Sequence, residues 1–305
     1  MPDWKEILDT IQREGKDANP FDKIRRDCIQ KLSEYTKRNV IIYYSGWLQK
    51  DAPRDISITD TDKNGFMTNI HGLDRSLGLD LILHTPGGDT AATESIVDYL
   101  RKMFNCDIRV FVPQLAMSAG TMIACACKEI WMGKQSSLGP IDPQILLPSV
   151  GKFVPAHGIL NEVKTITEEI EKKEAKQFIW AQILSKYSPA FIGDCQNVVN
   201  WSREITSDWL KSCMFVGEDN AENLAKTIVN ELCDHQETKT HSRHLSIDFC
   251  KRIGLKIKDL ESDNKLQDLV LSVHHSCMAT FYNTAAIKII ENQNNKSFII
   301  AAMTN

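Results

Sequence analysis

One serine among small residues and one pair of adjacent glycines are the parts of this sequence whose types and spacing could do chemistry. The serine is Ser118 in Ala116-Met117-Ser118-Ala119-Gly120, and the glycines are Gly87 and Gly88 in His84-Thr85-Pro86-Gly87-Gly88. A serine at a strand-to-helix turn is open to a substrate, and the helix N-terminus beside it stabilises negative charge. A glycine pair lets the backbone approach a reacting carbonyl and point N–H groups at its oxygen. The chemistry such parts perform together is acyl transfer. Taken singly, a glycine pair is an ordinary tight turn and a serine an ordinary helix cap. Their placement on consecutive strands, with one helix between, favours a site.

The elements that must position them follow from periodicity. Leu79–Leu83 and Ile108–Val112 have the length and residue types of buried parallel strands. Asp89–Phe104 has helical spacing and joins them in a β-turn-α-β unit. From Ser118 to Cys127 runs an apolar helix, too short to span a membrane and too apolar to be exposed, hence central and buried. Glu129–Met132 reads as another short strand and Gly133–Gln144 as a turn-rich loop. Upstream, Trp4–Arg38 reads as two helices broken near Asn19-Pro20. Asn39–Leu48 reads as the first core strand, Lys50–Thr61 as a loop and Asn64–Leu77 as a helix.

Three phrases, His84 to Gly88, Ala116 to Ala124 and Ser136 to Gln144, resemble in order and spacing the serine dehydrogenase proteinase family. That family is related to signal peptide peptidase A and, more distantly, to the Clp protease proteolytic subunit. Weaker similarity extends to Ile56–Asp62 and Lys288–Asn292. The resemblance implies an α/β fold with a Clp/crotonase-like core of parallel strands and helices. N-terminal helices over residues 1–38 would precede a core at 39–157, followed by a helical arm and mostly helical C-terminal region at 158–305. It implies that Ser118 is the nucleophile, that Gly88 and the N–H of Ala119 form the oxyanion hole, and that Gly87 supports it. The function implied is a cytoplasmic serine endopeptidase, without cofactor or metal, acting on peptides or unfolded protein segments. No Gly-x-Gly-x-x-Gly fingerprint supports a nicotinamide cofactor.

A serine hydroxyl is a weak nucleophile until a neighbour takes its proton. In the Clp-like relatives a histidine follows the serine by about the distance from Ser118 to Asp142. Here Gly139-Pro140-Ile141-Asp142-Pro143 holds no histidine, which excludes a plain copy of that arrangement. The signal-peptide-peptidase-like relatives use a lysine on a following helix, and desolvation can lower a lysine pKa enough for that task. Lys152, Lys164, Lys172 and Lys173 lie in the corresponding region; Lys164 is the preferred base and His157 the alternative. His84 either orients substrate or caps the strand end, and Asp142 reads as a loop-fixing carboxylate. His241 and His244 are three apart but have no carboxylate at helical spacing, so they do not read as a metal pair. His274 and His275 are adjacent and cannot share one helix face. A second reading, of a different class, is an oligomeric scaffold that has lost its base and binds peptides or a partner protein.

Composition narrows the classes further. The chain has 305 residues, room for one large domain or two modest ones, and a net charge of −4 that gives no broad attraction to nucleic acid. No apolar run approaches the roughly 18 residues of a membrane-spanning helix, and the N-terminus lacks the apolar centre of a signal peptide. The nine cysteines form no Cys-x-x-Cys pair and read as reduced thiols of a cytosolic protein. Gly158–Lys186 is charged and helical, with Ile159, Val163, Ile166, Ile170 and Ile179 near helix spacing. A long projecting helix with that stripe needs a partner face, which predicts a homo-oligomer with this segment at a subunit contact.

Overall fold

The structure, a computed structural model, describes residues 20–50, 56–147, 151–172, 177–185, 187–233 and 240–302. The helix expected before Asn19, and Lys173 among the candidate bases, lie outside them. Helix α1 (Pro20–Thr36) starts on a proline, whose missing N–H has no intrahelical partner to lose there. It is followed by β1 (Asn39–Ser45), α2 (Thr61–Ile70), β2 (Leu79–His84), α3 (Thr90–Phe104), β3 (Ile108–Val112), β4 (Leu115–Ala116) and α4 (Ala119–Cys125). Next come β5 (Glu129–Met132), β6 (Ser137–Leu138), β7 (Gln144–Leu147), β8 (Lys152–Pro155), α5 (Ala156–Lys172), α6 (Gln177–Leu184), α7 (Pro189–Trp209) and α8 (Ala221–Cys233). The chain ends with β9 (Leu245–Ser246), α9 (Ile247–Arg252), β10 (Ile257–Asp259), α10 (Asn264–Asn283), β11 (Ala286–Asn292) and β12 (Ser297–Ala301).

The main sheet has the strand order β10-β5-β3-β2-β1-β11-β12. β10, β5, β3, β2 and β1 run parallel, and β11 and β12 add on antiparallel. Both faces are covered, which is why β1 and β2 are buried along their whole length. Ile41, Tyr43, Leu81, Leu83 and Val110 face the layer of α3, α4 and α8. Their alternate neighbours Ile42, Tyr44, Ile82 and Phe111 face α1 and α10. A second small sheet, β4-β6-β9, adjoins the carboxyl end of β2. The join is made by Thr85 N–H donating to Leu115 O at 3.1 Å and Met117 N–H donating to Thr85 O at 3.0 Å.

Several expectations change. The segment read as a loop at 133–144 contains β6, which exists through its pairing with β4 and β9. The single helix read at 158–186 is two helices, α5 and α6. Part of the apolar stripe of α5 is covered within the chain: Ile159, with Ala156, packs with Cys195, Val199 and Phe191 of α7, and Ile166 is buried. The C-terminal part is rich in helix but also supplies β10, β11 and β12 to the main sheet.

Candidate active site

Ser118 joins β4 to α4 with φ 51° and ψ −117°, a conformation that a side chain makes costly, at roughly 1–3 kcal/mol. The hydroxyl makes no capping bond to its own helix, so it projects from the elbow instead of closing it. Gly120 N–H donates to Met117 O at 2.8 Å and Met122 N–H to Ser118 O at 3.2 Å, which starts α4 directly behind the serine. Ala119 is the first residue of that helix, where an N–H has no intrahelical acceptor.

The glycine turn lies against this elbow. Gly87 has φ +98°, and a Cβ there would stand 2.7 Å from Ser118 Cβ and 3.0 Å from Ala119 N. A side chain at this position would therefore push directly on Ser118 and on the Ala119 N–H. At Gly88 a Cβ would overlap the backbone of Ile58. Ile58 N–H donates to Gly87 O at 2.9 Å, and Asp89 N–H donates to Ile58 O at 3.0 Å. These bonds use the groups on either side of Gly88 and leave its own N–H outside the ladder. The Asp89 carboxylate accepts from Ala92 N–H at 2.7 Å and so fixes the start of α3. Gly139, just past β6, completes the packing: a Cβ there would be 3.1 Å from Ser118 N.

The loop that leaves Gly139 carries Asp142, which is buried. Its Oδ1 accepts from His241 Nδ1 at 2.8 Å, and His241 is partly open to solvent. The contact joins the loop after β6 to the turn before β9. β6 and β9 are antiparallel with Leu138 opposite Leu245. Asp142 lies in the loop four residues after the first and His241 in the turn four residues before the second. Ile141 anchors the loop through its N–H to Leu232 O at 3.1 Å and its carbonyl, which accepts from Ser202 Oγ at 3.1 Å.

Comparison with known proteins gives the family. The family described as ClpP-like SDH-type serine proteinase matches residues 18–279, most of the chain. The chain belongs to that family. Two uncharacterized proteins of Methanocaldococcus jannaschii, MJ0137 and MJ1495, are 30% and 29% identical over 200 residues, 66% of this chain. The matched segment spans about 60% of the length of these curated relatives (60% and 59%). Among solved structures, a serine-to-alanine mutant of the 1510-N membrane-bound stomatin-specific protease is 20% identical, with 67% of this chain and 92% of that chain covered and a TM-score of 0.30. A lysine-to-alanine mutant of the same protease, in complex with a substrate peptide, is 18% identical, with 72% and 94% covered and a TM-score of 0.29.

The other residues singled out from the sequence make contacts of their own. His84 is fully buried and faces α10, its ring 5.5 Å from that of Tyr44 and 5.4 Å from that of His274. Burial pushes its pKa down to about 3, against a weaker opposing effect of the Leu115 backbone. It is a neutral core residue on the far side of β2 from α4. His157 and Lys164 share a cleft on α5 with Asn161, Val199 and Arg203, and Ser118 does not line that cleft. Lys152 is an exposed residue of β8. All nine cysteines are free thiols, and all but Cys106 are buried. Among the described residues no group of three or more His, Cys, Asp or Glu is placed to hold a metal ion, and no helix is long and apolar enough to cross a membrane. His241 is the residue that sequence reasoning missed. Weighed with its neighbour His244, it lacked a local carboxylate; its actual partner is 99 residues away.

Proposed function

We propose that this protein is a serine peptidase in which Ser118 attacks a peptide carbonyl and His241, held by Asp142, takes its proton. The observation that carries this reading is the 2.8 Å bond between His241 Nδ1 and the buried Asp142 carboxylate. It is made by the loop whose Gly139 packs on Ser118 N. With Nδ1–H donated to Asp142, the other ring nitrogen, Nε2, is the proton acceptor, and the carboxylate stabilises the imidazolium as it forms. The oxyanion of the tetrahedral intermediate is received by the N–H groups of Gly88 and Ala119. The imidazolium then protonates the leaving amine, and water activated by the same ring hydrolyses the acyl-enzyme. The chain order Ser118, Asp142, His241 is no obstacle, because such triads are defined by geometry and not by order.

In this reading His241 takes the place expected for Lys164, whose cleft Ser118 does not line. The scaffold reading is less favoured, since a partner-binding surface has no use for a serine held at φ 51° or for a histidine bonded to a buried carboxylate. The substrate class is peptides or unfolded protein segments, cut internally, and the compartment is the cytoplasm. A fluorophosphonate probe followed by peptide mass spectrometry tests the assignment. Wild-type protein is expected to be modified at Ser118 and Ser118→Ala to be unmodified. His241→Ala should label more slowly by about 10²–10⁴-fold, the range for loss of a general base, while Lys164→Ala should label normally. Normal labelling of His241→Ala, or its loss in Lys164→Ala, would overturn the base assignment.

A further inference from the structure

Two stretches distant from Ser118 in sequence, Ile56–Asp62 and Lys288–Asn292, meet behind the glycine turn. Lys288 on β11 and Asp62 in the first turn of α2 are both fully buried. Lys288 Nζ donates to Asp62 Oδ1 at 2.8 Å, to Oδ2 at 3.0 Å, and to the Ser57 carbonyl at 2.7 Å. Asp62 Oδ2 also accepts from Thr59 N–H at 2.9 Å and from the Tyr43 hydroxyl at 2.8 Å. One residue upstream, Ser45 Oγ donates to Ile56 O at 2.6 Å. The ion pair thus grips the backbone on both sides of Ile58, by the carbonyl before it and the amide after it. Ile58 is the residue whose own N–H and carbonyl hold Gly87 and Asp89.

We propose that the Lys288–Asp62 pair is a positioning device for the oxyanion hole, fixing Ser57–Thr59 as a rail on which the Gly88 N–H is aligned. This rests on the peptidase reading above for the role of that N–H. A buried ion pair is a poor way to add stability, because apolar residues of similar volume often serve as well. What apolar residues cannot supply is a set of directional bonds to a backbone carbonyl and a backbone amide. Lys288 and Asp62 supply both, at short distance and away from water, where such bonds are strongest. The grip is not a general feature of the sheet. It falls on the three residues that register Gly87–Asp89 and lies one strand away from the serine elbow.

The double variant Asp62→Leu/Lys288→Met removes both charges together, so neither is left buried without its partner. Amide hydrogen exchange reads the rail without any reference to activity. Exchange at Ile58 and Asp89 should accelerate by about tenfold or more while Leu81 and Val110 in the sheet stay protected. Fluorophosphonate acylation reads the hole. Its maximal rate should fall by about 10²-fold, as for a reacting geometry displaced by about 1 Å, with the probe's apparent affinity unchanged and the melting temperature near that of the wild type. Should the double variant not fold, Asp62→Asn keeps the side-chain volume, and the same changes are expected at smaller size. Wild-type exchange at Ile58 and Asp89 in either folded variant, or accelerated exchange with an unchanged acylation rate, would overturn the proposal. If wild-type protein itself is not acylated, the peptidase reading fails, and the exchange data still decide whether the rail exists.

Discussion

Gly88→Ala separates the hole from the fold. The new Cβ would overlap Ile58, roughly an ångström or more inside normal contact. The turn must move away, and the two bonds it makes with Ile58, at 2.9 and 3.0 Å, are lost or stretched. At about 0.5–1.5 kcal/mol net for each bond, the stability cost is about 1–3 kcal/mol. Domains are stable by about 5–15 kcal/mol, so most molecules stay folded. Misplacing one oxyanion donor, by contrast, costs about 10²–10³ in turnover, equivalent to about 2.7–4 kcal/mol in the transition state. The catalytic loss therefore exceeds anything the unfolded fraction can explain. Acylation rate and thermal melt measured on one preparation supply the test. Gly151→Ala is the control: its φ is +65° and nothing lies within 4 Å of the added carbon, so it should lose stability through backbone strain and keep its rate. A Gly88→Ala enzyme within about threefold of wild type, or one whose loss tracks unfolding alone, would refute the placement of this N–H in the hole.

Two further outcomes follow from the core and the surface. Burial holds His84 near a pKa of about 3 and pushes His274 well below its ordinary value. The unfolded chain binds more protons than the folded one below about pH 6.5, so stability present at neutral pH is lost as pH falls from there, by about 1.4 kcal/mol per unit for each histidine. Urea unfolding at several pH values should show this slope, and His84→Phe should flatten it; an unchanged slope would refute it. The expected homo-oligomer needs an apolar surface, and the exposed apolar side chains near α5 include Phe178 and Ile179 on α6 and Phe153 on β8, at 76%, 59% and 69% exposure. Light scattering should give a multiple of 34.5 kDa for the wild type and a smaller species for Phe153→Glu/Phe178→Glu; a monomeric wild type would remove the interface.

The parallel core was legible because strands buried on both faces read as short unbroken apolar runs, as β2 and β3 do. β11 is equally buried but carries Lys288, Glu291 and Asn292, and that polarity hides it. Each polar group is satisfied by a remote partner: Asp62 for Lys288, Arg25 and Arg26 for Glu291, and the Asn69 carbonyl for Asn292. Local pattern carries none of that information. β6 and β9 are two residues each and exist only through pairing, so propensity had nothing to detect.

The site divides along the same line. Ser118 and the glycines answer to local steric demands, a positive φ and close backbone approaches, and residue type alone reports these. A base is defined by what it faces. A search at a fixed distance after Ser118 reached Asp142 and found an acid where a histidine was sought. The acid stands in the loop that follows β6 and the histidine in the turn that leads into β9, the strand paired with β6. Distance along the chain is then the wrong variable: every residue inserted between Gln144 and Thr240 changes it while the pairing of Leu138 with Leu245 leaves the geometry alone. The productive question is which residue the chain brings back beside each buried acid.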